Sequence, residues 1–148
     1  MTRWFEDYPV GSTWELGEVT PTEEQIVGFA REFDPQPFHV DADAAAASPF
    51  GGLIASGWHT AALMMRLVVD HYLSPESSLG SPGVDDLRWH APVRPGVALR
   101  LRAEVLEARV SAGKPDRGIL RTRFGFHSVG DDRAVFSVVA TNLVRVRP

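Results

Sequence analysis

Hydrophobic positions recur with two different periods along the chain, and the change of period divides a helical first half from a strand-rich second half. After a strand expected near Ser12 to Val19, the stretch TPTEEQIVGFAREFD brings Ile26, Phe29, Ala30 and Phe33 round at helical spacing. A threonine cap at Thr20, Pro21 in the tolerant first turn, and Glu23 and Glu24 near the positive end of the dipole predict an amphipathic helix. It ends around Phe33, because Pro35 and Pro37 cannot continue it. A short Ala-rich helical turn from Asp41 to Ala47 follows, and SPFGG breaks it.

The next run, LIASGWHTAALMMRLVVDHYL, is apolar on nearly every side and free of proline. It predicts a largely buried helix of roughly 18 residues, about 27 Å at 1.5 Å per residue. Its late polar residues, Arg66, Asp70 and His71, point to one end or face reaching water or a partner subunit. The region Gly51 to Leu73 approaches a bilayer span in length, but His59, Arg66, Asp70 and His71 within it argue for a helix buried in protein.

From Val84 the period becomes two. In LRLRAEV, Leu99, Leu101, Ala103 and Val105 alternate with Arg100, Arg102 and Glu104, the pattern of a half-exposed strand. Strands over Ile119 to Val129 and Ala134 to Arg147 follow, with SAGKPDRG as the looser turn before them and GDDR as a tight hairpin between them. Strands following a central apolar helix imply an α+β fold: one curved antiparallel sheet of four or five strands around one long helix. The edges of such a sheet, together with a half-exposed helix, predict at least a homodimer, with a higher homo-oligomer left open.

Composition narrows the setting. A chain of 148 residues, 44% hydrophobic and 23% charged, is sized for a single domain over residues 1–148. Its formal charge is −4, and the 15 Lys and Arg form no basic stripe, so nucleic acid is not an expected partner. The absence of cysteine excludes thiolate chemistry and suits the cytoplasm, and MTRWFEDYPVG has neither signal- nor transit-peptide character.

The candidate chemistry sits in DPQPFHVD. Pro35 and Pro37 stiffen the segment against a regular helix, so Asp34 and His39 project from a rigid bend. Spacing alone leaves two readings open. Either Asp34 caps the first helix and His39 packs at a turn, or a carboxylate and an imidazole converge on one water as a general acid and base. Downstream, PFGGLIASGWHT leads small residues into a helix start, where unpaired backbone N–H groups and the dipole polarise a carbonyl oxygen. Gly57 there is either an oxyanion donor or a close-packing glycine. Ser56 is either a helix cap or a hydrogen-bonding partner of the site.

Together FDPQPFHVD and GGLIASGWH resemble the MaoC-like dehydratases, the (R)-specific enoyl-CoA hydratase group of the hot-dog superfamily. That family carries a D-x-N-P-x-H-x-D segment and a glycine-containing turn opening the central helix. The resemblance places Asp34 and His39 on the catalytic pair and Gly57 on the oxyanion glycine, with Pro37 and Asp41 matching. It places Gln36, Pro37, Gly52, Ser56 and Trp58 near the substrate; His59, in the first turn of the helix, either faces the same pocket or packs as a core histidine. Gln36 stands where the family usually has Asn, Ser56 where many members have His, and Val97 where an acid often follows the P-V-x-P-G glycine. It implies a hot-dog fold and reversible hydration of a trans-2-enoyl-CoA to the (R)-3-hydroxyacyl form, with an acyl thioester as partner and neither metal nor organic cofactor.

Other conspicuous residues carry less. His59, His71, His90 and His127 lack metal-site spacing, so no metal is expected. Trp58, Met64 and Met65 line an acyl tunnel or simply pack a core; Arg88, Arg94 and Arg100 meet coenzyme A phosphates or form solvated strand faces. Two other functions stay open: a hot-dog thioesterase, attacking the carbonyl carbon instead, and a non-catalytic acyl-CoA-binding subunit.

Overall fold

The computed structural model describes residues 1–148 and bears out the hot-dog expectation. A five-stranded antiparallel sheet has the order β1-β3-β4-β5-β2, formed by β1 (Thr13–Val19), β2 (Gly83–Trp89), β3 (Leu99–Val110), β4 (Arg117–Ser128) and β5 (Ala134–Arg145). Period-two alternation decides which face is buried. Leu99, Leu101, Ala103 and Val105 of β3 point inward, Leu101 and Ala103 opposite Phe126 and Phe124 of β4, and Val138 and Val144 of β5 belong to the same core. Burying each such side chain stabilises the fold by about 1.5–3 kcal/mol. Their outward neighbours, Arg100, Arg102 and Glu104, form ion pairs across the solvent side.

The inward face packs against the central helix α4 (Gly57–His71) through Met64, Leu67 and Val68. The helix is shorter than expected, 15 residues, because Leu53 to Ser56 run extended before it. Nor is it buried all round: Trp58, Met65 and Val69 remain exposed, with Trp58 edge-on to Trp89 of β2 at 5.2 Å. A partly exposed apolar face reads, in sequence, like a core face. No helix is long and apolar enough to cross a membrane.

Three short helices, α1 (Glu23–Phe33), α2 (Pro37–Val40) and α3 (Ala42–Ala47), form an overhang beside the start of α4. Two local expectations are corrected. The N-cap of α1 is Thr22, not Thr20: Thr22 Oγ1 accepts from the Gln25 N–H at 3.1 Å, and Gln25 Oε1 accepts from the Thr22 N–H at 2.9 Å, a reciprocal cap that leaves Pro21 outside the helix. The proline pair also permits one helical turn, since Pro37 occupies the first position of α2, where no N–H is needed. His39 therefore projects from a short helix rather than from an extended bend.

Candidate active site

The site forms where the overhang meets the start of α4. Asp34 terminates α1 in an irregular backbone conformation, and its carboxylate caps nothing; it turns toward the next segment. Gln36 Nε2 donates to Asp34 Oδ1 at 2.7 Å, and Ser56 Oγ donates to Oδ2 at 2.7 Å. His39 Nε2 lies 3.3 Å from the same Oδ2. Burial pushes the Asp34 carboxyl up, but the two donated hydrogen bonds, with help from any positive charge on His39, outweigh it and hold the group below its ordinary value.

The extended segment Leu53–Ser56 fixes the other half of the arrangement. Ile54 N–H donates to the Phe38 carbonyl, and Ala55 N–H donates to the Val93 carbonyl, pinning the segment between α2 and the loop after β2. The Ile54 carbonyl then faces His39 Nδ1 at 2.6 Å. A carbonyl only accepts, so Nδ1 carries a proton, and in the neutral form of the ring the lone pair lies at Nε2. With His39 5% exposed, the ring has little room to turn away. Nε2 and Oδ2 are thus two adjacent acceptors, an arrangement satisfied by one molecule donating two hydrogens.

These atoms face a cavity of about 450 Å³, also lined by Phe50, Gly57, Trp58, Trp89 and His90. Gly57 opens α4, and neither its N–H nor that of Trp58 has an acceptor within the chain, so the positive end of the helix faces the cavity with two free donors. What requires glycine here is a neighbour rather than an unusual backbone angle. A Cβ at position 57 would fall 2.4 Å from the Trp89 ring, whose Nε1 donates to the Gly57 carbonyl at 2.8 Å. An irregularity in β2 between Asp85 and Arg88, where Asp86 takes a φ of 51°, precedes Trp89 and shifts its register.

The structure brings together Asp34, Gln36, His39, Gly57 and Trp58 around the cavity, with Ser56 behind Asp34. Ser56 makes no capping bond, so of the two readings left open for it the hydrogen bond to the site is the one realised. Three other candidates lie elsewhere. Pro37 shapes α2 from outside the cavity wall, and Gly52 sits against Arg94. His59 points the other way, stacked on Phe29 at 4.8 Å, with Nδ1 unpartnered and its pKa lowered by burial. Trp58 and His59 are consecutive in the helix, and about 100° of rotation per residue sends them to different faces.

Sequence reasoning missed Phe50, Trp89 and the strand-end contribution of His90, whose Nε2 is 2.7 Å from Ser137 Oγ. The signal was the stretch RWHAPVRPG, which reads as a strand end but not as a wall of the site. Of the three rim arginines considered, Arg94 alone reaches the cavity mouth, donating to the Phe50 carbonyl; Arg88 pairs with Asp86 and Arg100 with Glu18.

Removing the Ser56 hydroxyl takes away one of the interactions lowering the Asp34 pKa. Ser56→Ala is therefore expected to move the Asp34 titration, followed by NMR of its carboxyl carbon, to higher pH. A titration curve superimposable on wild type would contradict this role.

The family model described as MaoC like domain matches residues 8–122. A MaoC-like dehydratase from Rhodospirillum rubrum, known from its crystal structure, is 37% identical and covers 99% of each chain with a TM-score of 0.90. The 3-hydroxybutyryl-CoA dehydratase of Methylorubrum extorquens is 34% identical over 70% of this chain, and the match spans only 64% of that relative's own length. R-hydratase PhaJ1 from Pseudomonas aeruginosa, in its unliganded form, is 25% identical with a TM-score of 0.76, covering 97% of this chain and 86% of its own.

Proposed function

The chain belongs to the MaoC-like domain family, and from that premise we propose that it adds water reversibly to a trans-2-enoyl thioester, giving the (R)-3-hydroxyacyl form. The observation that carries the reading is the pair of adjacent acceptors, Asp34 Oδ2 and His39 Nε2, 3.3 Å apart beside the free N–H groups that open α4. Water donates one hydrogen to each acceptor, leaving an oxygen lone pair directed into the cavity toward Cβ.

As the bond from water oxygen to Cβ forms, the Cα=Cβ electrons move onto the thioester oxygen. The Gly57 N–H, at the positive end of α4, stabilises that enolate. His39 Nε2 takes the proton leaving the water, while Asp34 stays ionised through its bonds to Gln36 and Ser56 and stabilises the resulting imidazolium. Return of that proton to Cα completes the addition, with one oxygen–carbon and one carbon–hydrogen bond formed and no redox change. Dehydration follows the same path in reverse. The dehydratase and hydratase names borne by the relatives support this class of reaction.

The test is the loss of conjugated enoyl absorbance on mixing the protein with trans-2-enoyl-CoA thioesters of increasing length. Turnover yielding an (R)-3-hydroxyacyl-CoA supports the proposal, whereas thiol release or inertness over the whole series refutes it.

The working unit we propose is a homodimer. The edge strand β2 has one side unpaired, and Val84 and Trp89 on it lie exposed near Trp58 and Met65 of α4. Sedimentation at micromolar concentration is expected to give twice the 16.3 kDa chain mass or a multiple of it; monomer alone would refute the dimer.

A further inference from the structure

A second cavity, of about 160 Å³, lies further along the same side of α4. Its walls include Met64, Met65 and Val68 of the helix, Val84 of β2, and Phe124 and Asn142 of the sheet. At 3.6 residues per turn, Gly57, Met64, Met65 and Val68 fall on one stripe of α4, which runs roughly 16 Å from end to end. β2 flanks both cavities, with Trp89 at the first and Val84 at the second. The two cavities share no wall residue, so an apolar chain attached to a thioester in the catalytic cavity reaches the second along the exposed apolar surface of α4 and β2, where Met65 and Val84 lie.

Asn142 is out of place there. It pairs with Leu120 in the inward row of β5, where its neighbours Ala140 and Val144 belong to the core. The residue is 7% exposed, its carboxamide makes no hydrogen bond, and Oδ1 is buried without a partner. Thr122, polar and inward-facing like it, is satisfied by the Tyr72 hydroxyl at 2.9 Å. A buried amide without partners costs stability, so its placement on a cavity wall points to a ligand group that pairs with it. No charged side chain lines the cavity, which disfavours a carboxylate or an ammonium. A hydroxyl both donates and accepts, and so pairs with the amide in either orientation.

We propose that Asn142 is a specificity determinant that selects enoyl thioesters whose acyl chain carries a hydroxyl group near its far end. The inference rests on the hydratase reading above. The experiment compares kcat/KM for medium-chain trans-2-enoyl-CoA with a terminal hydroxyl against the same chain ending in methyl, in wild type and in Asn142→Leu, with crotonyl-CoA as the short reference. Wild type is expected to favour the hydroxylated chain about tenfold, and Asn142→Leu to reverse that preference while leaving crotonyl-CoA turnover unchanged, because the short chain does not reach the cavity. Failure of wild type to hydrate crotonyl-CoA or either longer chain would sink the hydratase reading itself. Turnover of these substrates with a hydroxyl-to-methyl ratio near one in wild type would overturn the Asn142 proposal alone, whether or not the variant folds. An unchanged ratio in a folded Asn142→Leu would do the same.

Discussion

Replacing Asp34 by Asn, or His39 by Ala, is expected to lower turnover of an enoyl thioester by roughly 10²–10⁴-fold with the fold retained. The two losses have different physical origins. An Asn amide at position 34 presents either a neutral oxygen or an N–H to the water, so the second acceptor is weakened or replaced by a donor, and the imidazolium loses its counter-charge 3.3 Å away. Removing the His39 ring takes away the group that accepts the proton and leaves the Ile54 carbonyl without its partner. Because the two act on one water, the double variant should lose little more than the worse single variant, a departure from additivity that independent sites would not show. Activity within tenfold of wild type in both single variants would reject the assignment.

The second large effect is expected at the start of α4. Gly57→Ala puts a methyl group 2.4 Å from the Trp89 ring. The indole must move, its bond to the Gly57 carbonyl must break, and the N–H proposed to hold the enolate oxygen loses its aim. A fall of about 10²–10³ in kcat is expected, the size seen when one oxyanion donor is removed. Alanine is a better helix former than glycine, so α4 itself should persist, and circular dichroism of the variant should match wild type. A variant with normal kcat would show that the helix start does not hold the developing charge.

How much of this was legible in the sequence depended on whether a residue's role was local. The fold read well because a period of two in LRLRAEV and a period of 3.6 in EEQIVGFAREF specify the inward face of each element directly. The pairing of Asp34 with His39 was legible as a motif, and the prolines bounded it. The orientation of the imidazole was not, because it depends on the Ile54 carbonyl, 15 residues away in the chain. Ser56 was ambiguous for the same reason: a serine before a helix normally caps it, and only the approach of Asp34 from 22 residues upstream diverts the hydroxyl. Trp89 and Phe50 were invisible as site residues because an apolar wall has no spacing of its own.

Of the two readings of His59, a wall of the cavity or a core histidine, the second is realised: the ring is buried and stacks on Phe29. Asn142 sits in a strand whose alternation is otherwise apolar inward, so its burial was implicit in the pattern, while its lack of a partner required the three-dimensional surroundings. The exposed stripe of α4 could not be told from a core stripe, since an apolar surface awaiting another chain and one already covered have the same composition.

The proposed hydration rests on a single water, bound between Asp34 and His39, supplying both the hydroxyl at Cβ and the proton at Cα from one side of the substrate. Proton NMR of the product formed from crotonyl-CoA in deuterium oxide tests this most directly. The account predicts deuterium at Cα on the same face as the new hydroxyl at Cβ; deuterium on the opposite face, or spread over both, would contradict it.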